Sequence, residues 1–555
     1  MTNTRPSFMT GRRFLIGFLL LALSILAFAC AKEAEAPAAD VATTAEKPAD
    51  EIAWFQGSVE EAFALAKQER RPVFLYWGAV WCPPCHALRA KLFTQPEFRA
   101  RLSSTVAVYL DGDTERAQIW GEKLGTLGYP TVIIFDADGR EITRIPGTLP
   151  VDQYADVVAN ALDASRPVTE VLAAVEAGGP AAVPPAELNL LAFYSFDQDQ
   201  ALELGIAKRR ELFDRLWRET PEELTVEKAR FLVLYATALA QSDEETAAPE
   251  LSDDARRAII TDLEAILADR SLRNVNLDLV LYRAGGVVEA LTPAPGEERD
   301  GLVSSWRDAA GAIEADENLS TDDRLTALLP QIELAKLGLE PAGDEEVTVP
   351  ADLQDHIREK VRWAGEAVRD EDEMQAVMST MAGVLEEAGL ASEAGTLLSE
   401  RMSETTAPYY YQGWLASIEA DAGRTDEAVK LYREAWQGAK ISPSGSKMSA
   451  FRWGSSYLRQ AMKYTPDAAE AIAADADVVL SELLEGPDAF AGGNWSRLSG
   501  LGTALQQWEG EDQARAAVVS GIREKVREAC DRFPDEGEES GGVRCRSFLS
   551  DEGAL

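Results

Sequence analysis

The sequence predicts a multidomain protein in which an N-terminal α/β sandwich is followed by a mainly α-helical solenoid. Three observations predict this. Between about residues 51 and 165, apolar strands such as Val73–Trp77 and Val132–Phe135 alternate with amphipathic helices. From 166 to 555, apolar residues recur at spacings of three and four with almost no alternating strand pattern. At 555 residues the chain is also too long for one core, taking about 150 residues per domain.

The first element is a targeting segment over residues 1–30. Arg5, Arg12 and Arg13 precede an apolar run, Phe14 to Ala29, that is short and ends in small residues. This architecture predicts an exported protein, extracytoplasmic in the bacterial periplasm. Ala27, Phe28 and Ala29 before Cys30 resemble a lipoprotein cleavage box, with Ala27 and Phe28 departing from its usual residues. Lipidation of Cys30 would anchor the chain to the membrane, as would an uncleaved signal. Arg12-Arg13 followed by Phe14 and Leu15 also resembles a twin-arginine signal. Residues 31–50, rich in Ala, Glu and Pro, read as a flexible linker.

The chain carries 94 acidic and 54 basic residues, a formal charge of -40. A phosphate backbone or an anionic membrane surface would repel most of this surface, so no nucleic-acid partner is expected and the membrane is met only through the N-terminus. The acidic residues are spread over helical stretches, where they act as a solvated face.

In the α/β part, Ser58 to Arg71 is an amphipathic helix opened by Ser58 with Glu61 three residues on. Strand Val73 to Trp77 leads into Trp81-Cys82-Pro83-Pro84-Cys85-His86 at a helix start. Helices to about Phe93 and over Gln95 to Leu102, a strand Thr105 to Leu110 and a helix Thr114 to Leu124 follow. Tyr129-Pro130-Thr131 introduces Val132 to Phe135; a turn at Asp138-Gly139, strand Glu141 to Ile145, Gly147 and helix Val151 to Asp163 close the unit.

Cys-x-x-Cys at a strand-to-helix junction is a redox signal. Cys82 would sit where unpaired N–H groups and the helix dipole favour thiolate, so it is the attacking sulfur; Cys85, one turn in, resolves. Pro83 and Pro84 preset helical φ but supply no N–H. His86, four residues after Cys82, could supply a cation if protonated, or could be an ordinary exposed histidine.

Trp81 to Cys85, Tyr129-Pro130-Thr131 about 45 residues later, the hairpin and Gly147 resemble the thioredoxin-like superfamily, most closely its exported thiol:disulfide interchange branch. The resemblance covers about 115 residues. It implies a redox-active Cys82-Cys85 disulfide, a cis Pro130 facing it, and Trp81, Pro83, Pro84, His86, Tyr129 and Pro130 as supporting, substrate-facing residues. The family often places a buried carboxylate on the preceding strand to shuttle the proton of the resolving thiol; the matching residue here is Tyr76, which puts the rate and direction of reaction in question.

In the helical remainder, Pro-containing breaks fall at Gly178 to Pro185 and Pro293 to Gly296, and helices are expected over Lys228 to Gln241, Ala255 to Asp269, Leu302 to Ile313, Asp323 to Leu337, Leu353 to Val368 and Glu511 to Arg532. Ala382, Gly389, Glu393 and Ala394 recur as Ala416, Gly423, Glu427 and Ala428, each offset by 34, the tetratricopeptide period. Residues 350–440 therefore read as tetratricopeptide-like. Tyr409-Tyr410-Tyr411 and Trp453 to Tyr457 could line a binding face or form helix–helix core. Trp306, Trp363, Trp436 and Trp508 are assigned to packing.

The function expected is an exported thiol:disulfide oxidoreductase, without cofactor or metal, acting on protein thiols and disulfides with an electron donor or acceptor and a docking protein on the array. One alternative is an interaction scaffold whose α/β domain is catalytically inert. Another is c-type haem attachment, since Cys82-Pro83-Pro84-Cys85-His86 fits that pattern. Zinc is disfavoured because two sulfurs lack a second ligand pair and the only other histidine is His356. Cys530 and Cys545 are expected to form a structural disulfide, given the compartment.

Overall fold

The computed structural model describes residues 52–548, apart from short segments at 146, 148, 165, 200–201, 203, 242–248, 340–346, 442–446, 535–536 and 538–539. The targeting segment, Cys30 and the linker lie outside the described residues. Among the described residues no helix is long and apolar enough to cross a membrane.

Helix α1 (Val59–Glu69) begins with a capping box: Glu61 N donates to Ser58 Oγ, and Ser58 N donates to Glu61 Oε2 at 2.8 Å. Next come β1 (Val73–Gly78), α2 (Pro83–Lys91), α3 (Pro96–Leu102), β2 (Val106–Asp111), α4 (Glu115–Lys123), β3 (Thr131–Phe135), β4 (Glu141–Ile145) and α5 (Val151–Asp163). The sheet order is β2-β1-β3-β4, with β1 parallel to β2 and antiparallel to β3, and β4 antiparallel to β3. Every residue of β1 is buried, which explains its unbroken apolar run. Val73, Leu75 and Trp77 pack with α1 on one face, while Phe74 and Tyr76 pack on the other with Leu88 of α2, Phe98 of α3 and Val157 of α5.

The chain continues through α6 (Val168–Gly178), α7 (Pro185–Ala192), α8 (Ile206–Glu219), α9 (Thr225–Ala240), α10 (Asp253–Ala268), α11 (Arg270–Val275), α12 (Leu277–Val280), α13 (Ala284–Leu291) and α14 (Glu297–Ala315). Their apolar interior is continuous with the α2 face of the sheet. A second interior belongs to α15 (Thr321–Thr326), α16 (Leu328–Lys336), α17 (Ala351–Ala367), α18 (Glu371–Glu387), α19 (Ala391–Arg401), α20 (Pro408–Asp421) and α21 (Thr425–Lys440). A third lies among α22 (Lys447–Tyr464), α23 (Ala469–Leu484), α24 (Gly492–Glu509), α25 (Gln513–Ala529) and α26 (Gly541–Ser547).

The expected helix Asp323 to Leu337 is two helices divided at Ala327. Pro330 has no N–H to give the carbonyl of Thr326 four residues back, so the first helix ends there. The 34-residue echo is structural: Ala382, Ala394, Ala416 and Ala428 are all fully buried, and Gly389 and Gly423 follow α18 and α20 at φ of 78° and 77°.

The helices wrap the α/β domain. Ser195 N donates to Arg144 O of β4 at 2.9 Å, α18 packs on α2, and Gly492 N at the start of α24 donates to Glu122 of α4 at 2.7 Å, where Arg544 also pairs at 2.8 Å.

Candidate redox site

Cys82 is the N-cap of α2 and is joined to Cys85 by a disulfide. Because Pro83 and Pro84 occupy the first two helical positions, the first free amide is that of Cys85, and it donates to Cys82 Sγ at 3.2 Å. That amide and the helix dipole favour negative charge on the Cys82 sulfur. The Tyr129-Pro130 bond is cis, and Pro130, Tyr129 and Pro84 border one cavity of about 450 Å³. Gly147 is required there: a Cβ would lie 2.6 Å from the Pro130 ring.

The other half of the site comes from the helical array. Trp81, just before the pair, lies parallel to Tyr410 of α20, with centroids 5.6 Å apart and planes 14° apart, and meets Trp453 of α22 edge-on at 6.1 Å. Trp81 Nε1 donates to Asp113 Oδ2 at 2.8 Å. Arg452 of α22 donates to the other Asp113 oxygen at 3.2 Å and to the Tyr129 hydroxyl at 3.1 Å, with its guanidinium 4.8 Å from the Trp81 ring centre. From α18, Gln375 Nε2 donates to the Trp81 carbonyl at 2.8 Å. Gln375 is fully buried and held in turn, accepting from Ala407 N at 3.0 Å on its side chain and from the Tyr411 hydroxyl at 2.5 Å on its carbonyl.

His86 is buried rather than exposed, and its ring nitrogens are spoken for. Nδ1 lies 2.5 Å from Asp372 Oδ1, and Nε2 lies 2.6 Å from the Val80 carbonyl and 3.3 Å from Thr406 Oγ1. The aromatic run divides by position: Tyr409 and Tyr411 are core, whereas Tyr410 and Trp453 pack against Trp81, the residue before the redox pair.

Burial dominates the electrostatics. It raises the Tyr76 hydroxyl well above the phenol range, so the residue in the place of the family's carboxylate is a neutral phenol. The nearest carboxyl shifted upward is one strand over: Asp111, opposite Gly78 in the sheet register and on the same face as Tyr76 and Tyr109, is pushed up to about 6 by burial and by Asp113. Arg497 is lowered to about 10 by burial and then by the like charge of Arg452. For Arg452 itself, burial is the largest influence and works downward, but Asp113 and Tyr129 together outweigh it and the guanidinium is raised.

The haem reading does not fit this geometry. His86, held by Asp372 and the Val80 carbonyl, offers no free nitrogen as an axial ligand. Far away, Cys530 and Cys545 form a second disulfide between α25 and α26, within the third interior.

This is a thioredoxin-like domain carrying a redox-capable cysteine pair at the start of its second helix, and residues 59–162 match the thioredoxin-like domain family. The curated relatives it matches include thiol:disulfide interchange proteins DsbD: 33% identical over 103 residues in Cronobacter sakazakii, 18% of either chain, and 35% over 89 residues in Yersinia enterocolitica, 15% of either. In Salmonella paratyphi A the identity is 34% over 80 residues, 14% of either chain. The match thus spans less than a fifth of those relatives and of this chain.

Asp113, Asp372, Gln375, Thr406 and Arg452 are absent from the sequence-based expectation. A single polar residue on a helix carries no signal of a partner some 300 positions away. Only the aromatic runs Tyr409 to Tyr411 and Trp453 to Tyr457, the second next to Arg452, pointed toward that surface.

Proposed function

We propose that this chain is an exported thiol:disulfide oxidoreductase of the thiol:disulfide interchange branch, exchanging disulfides with protein substrates. The observation carrying the reading is a Cys82–Cys85 disulfide at a helix N-terminus in a thioredoxin-like domain. In the reducing direction, the Cys82 thiolate attacks a partner disulfide, forming a mixed disulfide and releasing one partner thiolate, which takes a proton. Cys85, having lost its proton, attacks Cys82 Sγ. The partner leaves with two thiols, and the two electrons it gained came from the pair. The oxidising direction runs these steps backwards, and the reduction potential of the pair relative to its donor or acceptor sets the direction.

The reading includes export by residues 1–30, periplasmic residence with a membrane anchor at Cys30 or the signal, and division into a linker at 31–50, an α/β domain at 51–165 and a helical region at 166–555. Residues 350–440 are tetratricopeptide-like, and the array selects protein partners. Trp81, Pro83, Pro84, Tyr129 and Pro130 face the substrate, and His86 is a supporting residue of the site.

The test is covalent trapping. Cys85→Ser should accumulate reductant-sensitive adducts with partner proteins in the native compartment, Cys82→Ser should accumulate few, and Cys82→Ser should lack disulfide-reductase turnover. Equal trapping by both variants would overturn the assignment of roles. No trapping and no turnover would favour the scaffold reading, which the burial of both cysteines, 2% and 1% exposed, supports.

A further inference from the structure

The face of a thioredoxin-like domain that must meet a substrate sulfur is occupied here by the chain's own helices. Disulfide exchange is an in-line displacement, so an incoming sulfur and its methylene need room beyond Cys82 Sγ. Cys82 is 2% exposed. The nearby cavity of about 450 Å³ is lined by Pro84, Tyr129 and Pro130 but by neither cysteine.

We propose that helices α18, α20 and α22 of the array form an autoinhibitory cover over the Cys82–Cys85 disulfide, latched at Trp81, His86 and Asp113, and that exchange requires this part of the array to lift. Three helices carry the latch, each at a different point around the pair. Helix α18 contributes Asp372 against His86 and Gln375 against the Trp81 carbonyl; α20 contributes the Tyr410 ring against the Trp81 indole; α22 contributes Arg452 against Asp113 and Tyr129.

The latch is built to open rather than to be permanent core. Its partners are mostly polar or charged, so water replaces their hydrogen bonds when the surfaces part. The Asp372 side chain is 42% exposed, giving solvent a way in at the edge. A wholly apolar seam would lack that replacement. The cover's biological use rests on the oxidoreductase reading; its existence does not, because it concerns only whether the disulfide can be reached.

The experiment follows both disulfides of the full-length oxidised protein during reduction by dithiothreitol, using acid quenching, alkylation and peptide mass spectrometry. In the wild type, the Cys82–Cys85 reduction rate should level off at high dithiothreitol, because cover opening becomes limiting. At low dithiothreitol, Asp372→Asn and Tyr410→Ala should each speed that reduction at least tenfold, with the Cys530–Cys545 rate unchanged in the same sample. Cys530 and Cys545 are equally buried, and none of the latch contacts involves them, so they report global loosening.

Wild-type rates in both variants, or equal acceleration of both disulfides, would overturn the proposal. Since the readout is accessibility rather than turnover, failure here is distinguishable from absence of oxidoreductase activity.

Discussion

Asp111 concentrates the pH behaviour of the redox domain. Burial raises its carboxyl from 3.8 to about 6, so the folded state holds this proton more tightly than the unfolded chain. The associated stability is fully present below about 3.8 and is lost as pH rises through about 6. Asp111→Asn should therefore be more stable than wild type at pH 8, by up to about 3 kcal/mol at 1.36 kcal/mol per unit, and close to it at pH 4. Chemical-unfolding midpoints of the two proteins at both pH values check this; equal differences at pH 4 and pH 8 would refute it. Such residue-level chemistry was only partly legible in sequence. The redox pair could be placed because Trp81 to Cys85 and Tyr129-Pro130-Thr131 are local strings whose residue types the chemistry requires. Asp372 and Arg452 could not, because their contacts depend on how some 300 intervening residues pack.

Among the elements, the hinge between α25 and α26 depends on a covalent tie. The third interior contains Cys530 and Cys545, 15 positions apart in sequence. Replacing both with serine should lower the stability of this end by about 3 kcal/mol on the loop-entropy estimate. Hydrogen exchange should show the loss as faster exchange of α25 and α26 amides, with β1 unaffected; uniform acceleration over the whole chain would contradict it. Helices and strands were legible where periodicity was strong: β1 read as a buried strand from its unbroken apolar run, and α1 from Ser58 and Glu61. The Asp323 to Leu337 stretch misled because its apolar spacing continues across Ala327, while the backbone consequence of Pro330 falls four residues upstream. The alternating α/β pattern and the helical remainder were likewise readable, but the side of the array that meets the redox pair was not, since both faces carry apolar and aromatic residues.

At the scale of the whole molecule, the α/β domain and the helices share one interior and are joined again at α2 and α4. Unfolding should consequently be cooperative across this boundary: near-ultraviolet dichroism of the aromatic clusters and far-ultraviolet dichroism of the helices should trace one coincident transition. An early, separate melting of the α/β domain would show the boundary to be energetically weak. The contacts across it also bear on inheritance. His86 and Asp372 are 286 positions apart, Asp113 and Arg452 339, and Glu122 and Gly492 370. A recombination event that replaced the first 165 residues with a segment lacking the Asp113 carboxylate would leave Arg452 without its partner, and breaking a buried ion pair from one side costs about 3–5 kcal/mol. The two lengths of chain are therefore constrained to descend together, and a substitution at Asp113 is accepted most readily in a lineage that has already changed Arg452.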